Sequence, residues 1–208
     1  MFDRLRSYGV VPVVAVDSAD EGLRLCEALI AGGLPVAEIT FRTAAAEATI
    51  REAAKRFPEM ILGAGTILTA EQMRKAADAG ARFAVSPGCN PTTITAARAC
   101  GMPFAPGVCT PSDIERAVEM GCSLLKFFPA EAAGGALMLK ALLGPYGHLG
   151  ISFCPTGGVT TGNLAEYLAI AQVAFVGGTW VAKKELIKAG RWNDITAVAA
   201  AAVAAAKR

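Results

Sequence analysis

A single histidine, His148, and six cysteines without close pairing are all that this 208-residue chain offers to a metal or a disulfide framework. Structural zinc sites draw on Cys and His at short, repeated spacings, and disulfide-dense domains on clustered cysteines. Cys26, Cys89, Cys100, Cys109, Cys122 and Cys154 show neither pattern, so no metal site is expected and the thiols read as small buried hydrophobes. Ser/His or Cys/His catalysis would rest wholly on His148. That residue sits in Pro-Tyr-Gly-His-Leu-Gly with no acid partner or nucleophile patterned beside it, and it reads as an exposed loop histidine. Charge imbalance is missing too. Twenty Lys plus Arg face 18 Asp plus Glu, a formal net charge of +2, which supplies no general field to gather nucleic acid or an acidic membrane. An anionic ligand must therefore be held by a local site.

Long apolar runs are also lacking. The longest, Ile195 to Ala206, is mostly alanine and falls well short of the roughly 20 residues a spanning helix needs. The start, Met1-Phe2-Asp3-Arg4-Leu5-Arg6, has no apolar signal core, so no export signal, no membrane partner and a cytoplasmic location are expected. Yet 53% of the residues are hydrophobic, and the mean hydropathy is +0.43. Buried parallel strands, apolar on both faces, account for such an excess.

What the chain does have is rhythm. Short apolar or β-rich runs recur every 20 to 25 residues or so, each followed by a segment of helical spacing. The strands expected are Val10–Val16, Val36–Arg42, Ile61–Thr66, Phe83–Gly88, Pro103–Thr110, Ser123–Pro129, Ser152–Gly158 and Val173–Trp180. Between them, Ser18 and Asp20, Thr69, and Thr110-Pro111-Ser112-Asp113 mark helix starts, and Gly32-Gly33, Gly80 and Gly121 mark stops. Phe2–Tyr8 reads as a short N-terminal helix across the barrel bottom, and the alanine-rich tail to Lys207 and Arg208 as the last outer helix. Eight strand-helix units predict an α/β fold of the (β/α)8, or TIM-barrel, type in one domain over residues 1–208. An open doubly wound sheet shares the rhythm, but no Gly-x-Gly-x-x-Gly follows the first strand.

Alternation along a barrel strand sends successive side chains to opposite faces. In Val36-Ala37-Glu38-Ile39-Thr40-Phe41-Arg42 this directs Glu38, Thr40 and Arg42 inward and Ala37, Ile39 and Phe41 outward. In Leu124-Leu125-Lys126-Phe127-Phe128 it directs Lys126 inward between apolar neighbours. A lysine that loses solvation is pushed toward the free amine, which can attack a carbonyl carbon and form an imine. Two readings of these charges stand side by side. Glu38 can form a buried ion pair with Arg42 or Lys126; or it can act as a general acid/base beside a Schiff-base lysine, with Arg42 gripping a substrate carboxylate. Gly63-Ala64-Gly65-Thr66, Ser86-Pro87-Gly88, Pro155-Thr156-Gly157-Gly158 and Gly177-Gly178-Thr179 fall at strand ends. The last two belong where such barrels expose backbone N–H groups to phosphate, so Gly157, Gly158, Gly178 and the Thr179 hydroxyl form a candidate phosphate cup.

Taken in order and spacing, Val11-Pro12-Val13-Val14, Glu38-Ile39-Thr40-Phe41-Arg42-Thr43, Gly63-Ala64-Gly65-Thr66, Ser86-Pro87-Gly88, Lys126-Phe127-Phe128-Pro129-Ala130-Glu131 and Phe153-Cys154-Pro155-Thr156-Gly157-Gly158 resemble the bacterial 2-keto-3-deoxy-6-phosphogluconate (KDPG) and 4-hydroxy-2-oxoglutarate (KHG) aldolases over nearly the whole chain. The resemblance implies a class I aldolase: a homotrimeric, metal-independent (β/α)8 barrel of the Entner-Doudoroff pathway that needs no cofactor and takes a phosphorylated 2-keto-3-deoxy sugar acid or pyruvate. It implies Lys126 as Schiff-base lysine, Glu38 as general acid/base and Arg42 as carboxylate ligand. It places Thr66 and Pro87 in the substrate pocket, and Thr156, Gly157, Gly158, Gly178 and Thr179 at the phosphate and hydroxyl end. Thr179 departs from the family's serine, and Cys89-Asn90 is also unusual. Two alternatives are kept. A relative acting on the galactonate epimer has Asn where this chain has Arg42; a non-catalytic keto-acid or sugar-phosphate-binding barrel would have no use for a reactive Lys126.

Overall fold

Helix and strand alternate along most of the computed structural model, which describes residues 1–207. Helix α1 (Phe2–Tyr8) precedes β1 (Val10–Val14), α2 (Ala19–Ala31), β2 (Val36–Thr40), α3 (Ala46–Arg56), β3 (Ile61–Gly65), α4 (Ala70–Ala79), β4 (Phe83–Val85) and α5 (Pro91–Ala99). The chain continues through β5 (Phe104–Ala105), β6 (Gly107–Val108), α6 (Pro111–Glu119), β7 (Leu124–Phe127), α7 (Gly135–Tyr146) and β8 (Ser152–Phe153). It ends with α8 (Leu164–Leu168), β9 (Val176–Gly178), α9 (Lys184–Lys188) and α10 (Trp192–Ala206). Arg208, expected at the end of the last helix, lies outside the described residues.

Each expected strand has a counterpart, but most are shorter than the apolar runs. Pro103–Thr110, read as one strand, is divided into β5 and β6 at Pro106, which has no N–H to give to a ladder. The Pro106 carbonyl still accepts from Lys126 N at 2.8 Å. Ser152–Gly158 keeps only Ser152 and Phe153 as strand: Pro155 lacks a donor, and Gly157 and Gly158 adopt φ of 98° and 81°. Phe83–Gly88 stops at Val85, before Pro87, and Val173–Trp180 is a regular strand only over Val176–Gly178.

All pairings are parallel, in the orders β5-β4-β3-β2-β1-β9 and β6-β7-β8. Bridges Phe153↔Val173 and Thr156↔Gly177 join the β8 and β9 segments. The sheet is strongly curled, because Lys126 on β7 reaches Glu38 on β2 although those strands belong to different hydrogen-bonded sets. Outward residues Ala37, Ile39, Leu125 and Phe127 have no exposed surface beneath the helices. Burying a side chain the size of Phe127 contributes about 2–3 kcal/mol.

The helix punctuation has clear partners. Ser18 and Thr69 accept from the amides of Glu21 and Gln72, and Thr110 with Asp113 forms a capping box. Asp20 lies in the first turn of α2 and does not cap it. The unusual Asn90 caps α5 by accepting from Thr92 N at 2.9 Å. In α10, alanine permits close packing: a Cβ at Gly32 would fall 2.7 Å from the Ala199 methyl. His148 is exposed in a short 3-10 turn, Gly147–Leu149. No helix among the described residues is long and apolar enough to cross a membrane.

Gly107 lies opposite Lys126 in the β6-β7 register, and a Cβ there would stand 2.1 Å from the Pro87 carbonyl carbon and oxygen. Those are backbone atoms with no rotamer to yield. Gly107→Ala is expected to lower unfolding stability by about 2–3 kcal/mol, read as a fall in the urea midpoint; an unchanged midpoint contradicts this packing.

Candidate active site

Register aligns Val13, Glu38, Gly63 and Phe83 across β1 to β4. Glu38 is 3% exposed, and Gly65 provides its space. A Cβ at Gly65 would fall 2.1 Å from Glu Oε1 of residue Glu38, and at Gly63 the Phe83 ring occupies the side-chain position. Across the interior, Lys126 is 5% exposed and donates from Nζ to Glu38 Oε1 at 3.1 Å and Oε2 at 3.4 Å. The Phe128 ring centroid stands 5.8 Å from Nζ, within cation–π range. Burial makes each charge dependent on the other.

Of the two ion pairs the sequence left open, the structure forms Glu38–Lys126. Arg42 is turned elsewhere by Thr40, whose hydroxyl donates to Val14 O at 2.9 Å and accepts from Arg42 Nε at 3.2 Å. Arg42 stands exposed two residues past β2, with no carboxylate partner among the described residues. Its terminal nitrogens are thus free to meet an anion in bidentate fashion. Cys154 is buried in the same interior, where desolvation, with smaller opposing effects of Lys126 and Glu38, pushes its thiol up to about 12. It stays a neutral S–H near neutral pH, a poor nucleophile.

The remaining expected residues ring the C-terminal ends of the strands. Thr66 follows β3 with φ of 56°, a left-handed conformation costly for a β-branched residue by about 1–3 kcal/mol. Pro87 is half-buried in a turn tied by Ser86 Oγ donating to Gly88 O at 2.7 Å. Thr156 is 5% exposed and packs on Gly177, where a Cβ would fall 2.3 Å from Thr156 Oγ1.

Beyond Thr156 the chain turns its donors outward. The Thr156 and Gly157 carbonyls accept from Ala130 N at 2.8 Å and Glu131 N at 3.0 Å. Gly158 O accepts from Asn163 Nδ2 at 3.3 Å. The amides of Gly157 and Gly158 donate to no protein acceptor among the described residues. Adjacent free amides are the donor set an anion needs. Gly178 has a packing reason of its own, since the Trp180 ring stands 2.0 Å from where its Cβ would be. Thr179 is exposed and shares a cavity of about 100 Å³ with Arg42 and Lys184. Residues assigned by resemblance to opposite ends of a substrate thus border one small space.

Three contributors were not singled out from sequence. Thr40 was assigned inward, yet its bond to Arg42 needed coordinates. Gly65 was read as turn glycine and is the seat of Glu38. Phe128 was taken as part of an apolar run, and its ring covers Lys126. No group of three or more His, Cys, Asp or Glu side chains among the described residues is placed to hold a metal ion.

The family model "KDPG and KHG aldolase" matches residues 1–198. A 2-dehydro-3-deoxy-phosphogluconate aldolase of Haemophilus influenzae is 47% identical over 195 residues, covering 94% of this chain and 91% of the relative. A KHG/KDPG aldolase of Escherichia coli strain K12 is 41% identical over 198 residues, covering 95% and 92%. The crystal structure of a KDPG aldolase from Legionella pneumophila, with pyruvate captured as a covalent carbinolamine, is similar with a TM-score of 0.91 and 39% identity, over 97% of both chains.

Removing one member of the buried pair strands the other charge. Lys126→Met is expected to cost about 3 kcal/mol of unfolding stability, and adding Glu38→Gln to recover most of it. Urea denaturation of the single and double variants measures this; a double variant no more stable than Lys126→Met would refute the coupling.

Proposed function

The chain belongs to the KDPG and KHG aldolase family, and on that premise we propose that it cleaves 2-dehydro-3-deoxy-6-phosphogluconate to pyruvate and D-glyceraldehyde 3-phosphate through an imine on Lys126. The observation that carries this reading is the buried Lys126–Glu38 contact of 3.1 Å. An amine must shed a proton before it attacks, and Glu38 is within reach to take it. Lys126 Nζ adds to the C2 ketone, the carbinolamine loses water, and the protonated imine becomes the electron sink. Glu38, through a water, removes the C4 hydroxyl proton; the C3–C4 bond breaks toward the imine, releasing the aldehyde and leaving the pyruvate enamine. Reprotonation at C3 and hydrolysis return pyruvate and the free lysine. Because the imine itself accepts the electron pair, this route calls for no metal or cofactor.

Binding roles follow from position. The Arg42 fork and the Thr66 hydroxyl hold the C1 carboxylate, and Pro87 walls the pocket. The Thr156 hydroxyl meets the substrate hydroxyls; the amides of Gly157 and Gly158 and the Thr179 hydroxyl take the phosphate, whereas the Gly178 amide, expected from sequence to join them, is committed to the ladder with β1, because Pro12 opposite it has no N–H. The same lysine and carboxylate can cleave 4-hydroxy-2-oxoglutarate to pyruvate and glyoxylate. The galactonate epimer is less well served, since Arg42 stands where that relative has Asn.

The finer architecture belongs to the same reading. Residues 1–207 form one domain whose strands close as a (β/α)8 barrel. The pairings β4-β5 and β6-β7 on either side of Pro106, with the β8 to β9 bridges, support closure. Exposed Leu68 (51%) and Leu137 (78%) fit burial in a homotrimer. The location proposed is the cytoplasm.

Incubation with pyruvate and borohydride, followed by peptide mass spectrometry, is expected to place one reduced pyruvate adduct on Lys126. Pyruvate binding without an adduct sinks the imine mechanism and favours a binding barrel. In Glu38→Gln the adduct should still form, while cleavage slows by roughly 10²- to 10⁴-fold. Cleavage at the native rate would remove Glu38 from the acid/base role.

A further inference from the structure

The glycine loop that offers free amides is held from behind by the segment following Lys126. Ala130 N and Glu131 N donate to the carbonyls of Thr156 and Gly157. Glu131 Cβ and Cγ lie 2.6 Å from where a Gly158 Cβ would stand, so the Glu131 side chain packs directly on the Gly158 backbone. The far end of Glu131 is fixed as well. Tyr167, on α8 and with no exposed surface, donates its hydroxyl to Glu131 Oε1. Gly135 makes room for this contact: a Cβ there would lie 3.2 Å from that oxygen and 3.7 Å from the Tyr167 hydroxyl.

A carboxylate beside an anion cup is an electrostatic liability unless it is turned away and held there by a donor. A tyrosine hydroxyl from the core performs both tasks. We propose that Tyr167 and Glu131 form a latch that positions the Gly157–Gly158 amides for the substrate phosphate and keeps the Glu131 charge away from it. Both are positioning residues, and neither touches the reacting atoms. The inference rests on the reading of this loop as the phosphate site and names the device that shapes it.

The test compares steady-state cleavage of 2-keto-3-deoxy-6-phosphogluconate with that of its unphosphorylated analogue, 2-keto-3-deoxygluconate. Tyr167→Phe frees the carboxylate and should raise KM for the phosphorylated acid roughly tenfold, with kcat within about twofold and the unphosphorylated acid unaffected on the same scale. Glu131→Ala, at an exposed position, removes the latch without opening the core and should raise the same KM by several-fold. Glu131→Gln keeps an acceptor for the tyrosine and should stay within about twofold of the parent. Equal losses on both substrates, or no loss in either of the first two variants, would overturn the latch. So would a Glu131→Gln variant as impaired as Glu131→Ala. A parent chain that turns over both acids equally overturns the phosphate reading of the loop, and the latch with it. Borohydride trapping of pyruvate on each variant reports separately on the Lys126 chemistry.

Discussion

The buried contact between Lys126 and Glu38 is the constraint on which the rest of the molecule depends. Two side chains of opposite charge lie within the apolar interior, 88 positions apart in sequence and on different strands. Neither is tolerable alone at that depth. Together they require a sheet curled enough to bring β7 opposite β2, and neighbours small enough to leave the carboxylate its place. Gly65 meets the second requirement. The apolar outer faces of the same strands, packed beneath the helices, meet the first. The buried ion pair and the hydrophobic core are alternate faces of the same short segments.

Above this pair, the strand ends supply polar groups whose orientation is set at one remove. Arg42 is steered by Thr40 away from Glu38, which would otherwise be a competing partner. Thr66 is held in a backbone conformation that its side chain disfavours. The glycine loop after β8 has its carbonyls bound from outside, while the Gly157 and Gly158 amides have no protein acceptor among the described residues. At Arg42 and in the glycine loop, a polar group is withheld from competing protein partners by bonds made within its own neighbourhood. This is preorganisation, in which the cost of orienting donors is met during folding and not when substrate arrives. Membership of the aldolase family gives that arrangement its chemical use.

Much of this was legible in the sequence. Period-two alternation directed Glu38, Thr40 and Lys126 inward, because a strand cannot send neighbouring side chains to one face. Serine, threonine and glycine at helix ends foretold the starts and stops of α2, α4 and α6, since unpaired backbone groups there must find partners locally. The errors lay where local chemistry outweighed the apolar pattern. Pro106 split a hydrophobic run that reads as one strand, and Asp20 followed a better-placed Ser18 into the helix. Such details depend on single N–H groups, and hydrophobic periodicity does not register them.

Sequence by itself determined the alternating α/β architecture, the inward lysine and carboxylate, and the set of motifs that mark the family. These are properties of short segments, whose spacing dictates which face a residue takes. Tertiary structure alone decided that Glu38 pairs with Lys126 and not Arg42, that Gly65 is the seat of the carboxylate, and that Tyr167 reaches Glu131 behind the glycine loop. Each of those outcomes joins residues far apart along the chain. Which partners meet depends on how the sheet curls and where the helices dock, and no local pattern carries that distance.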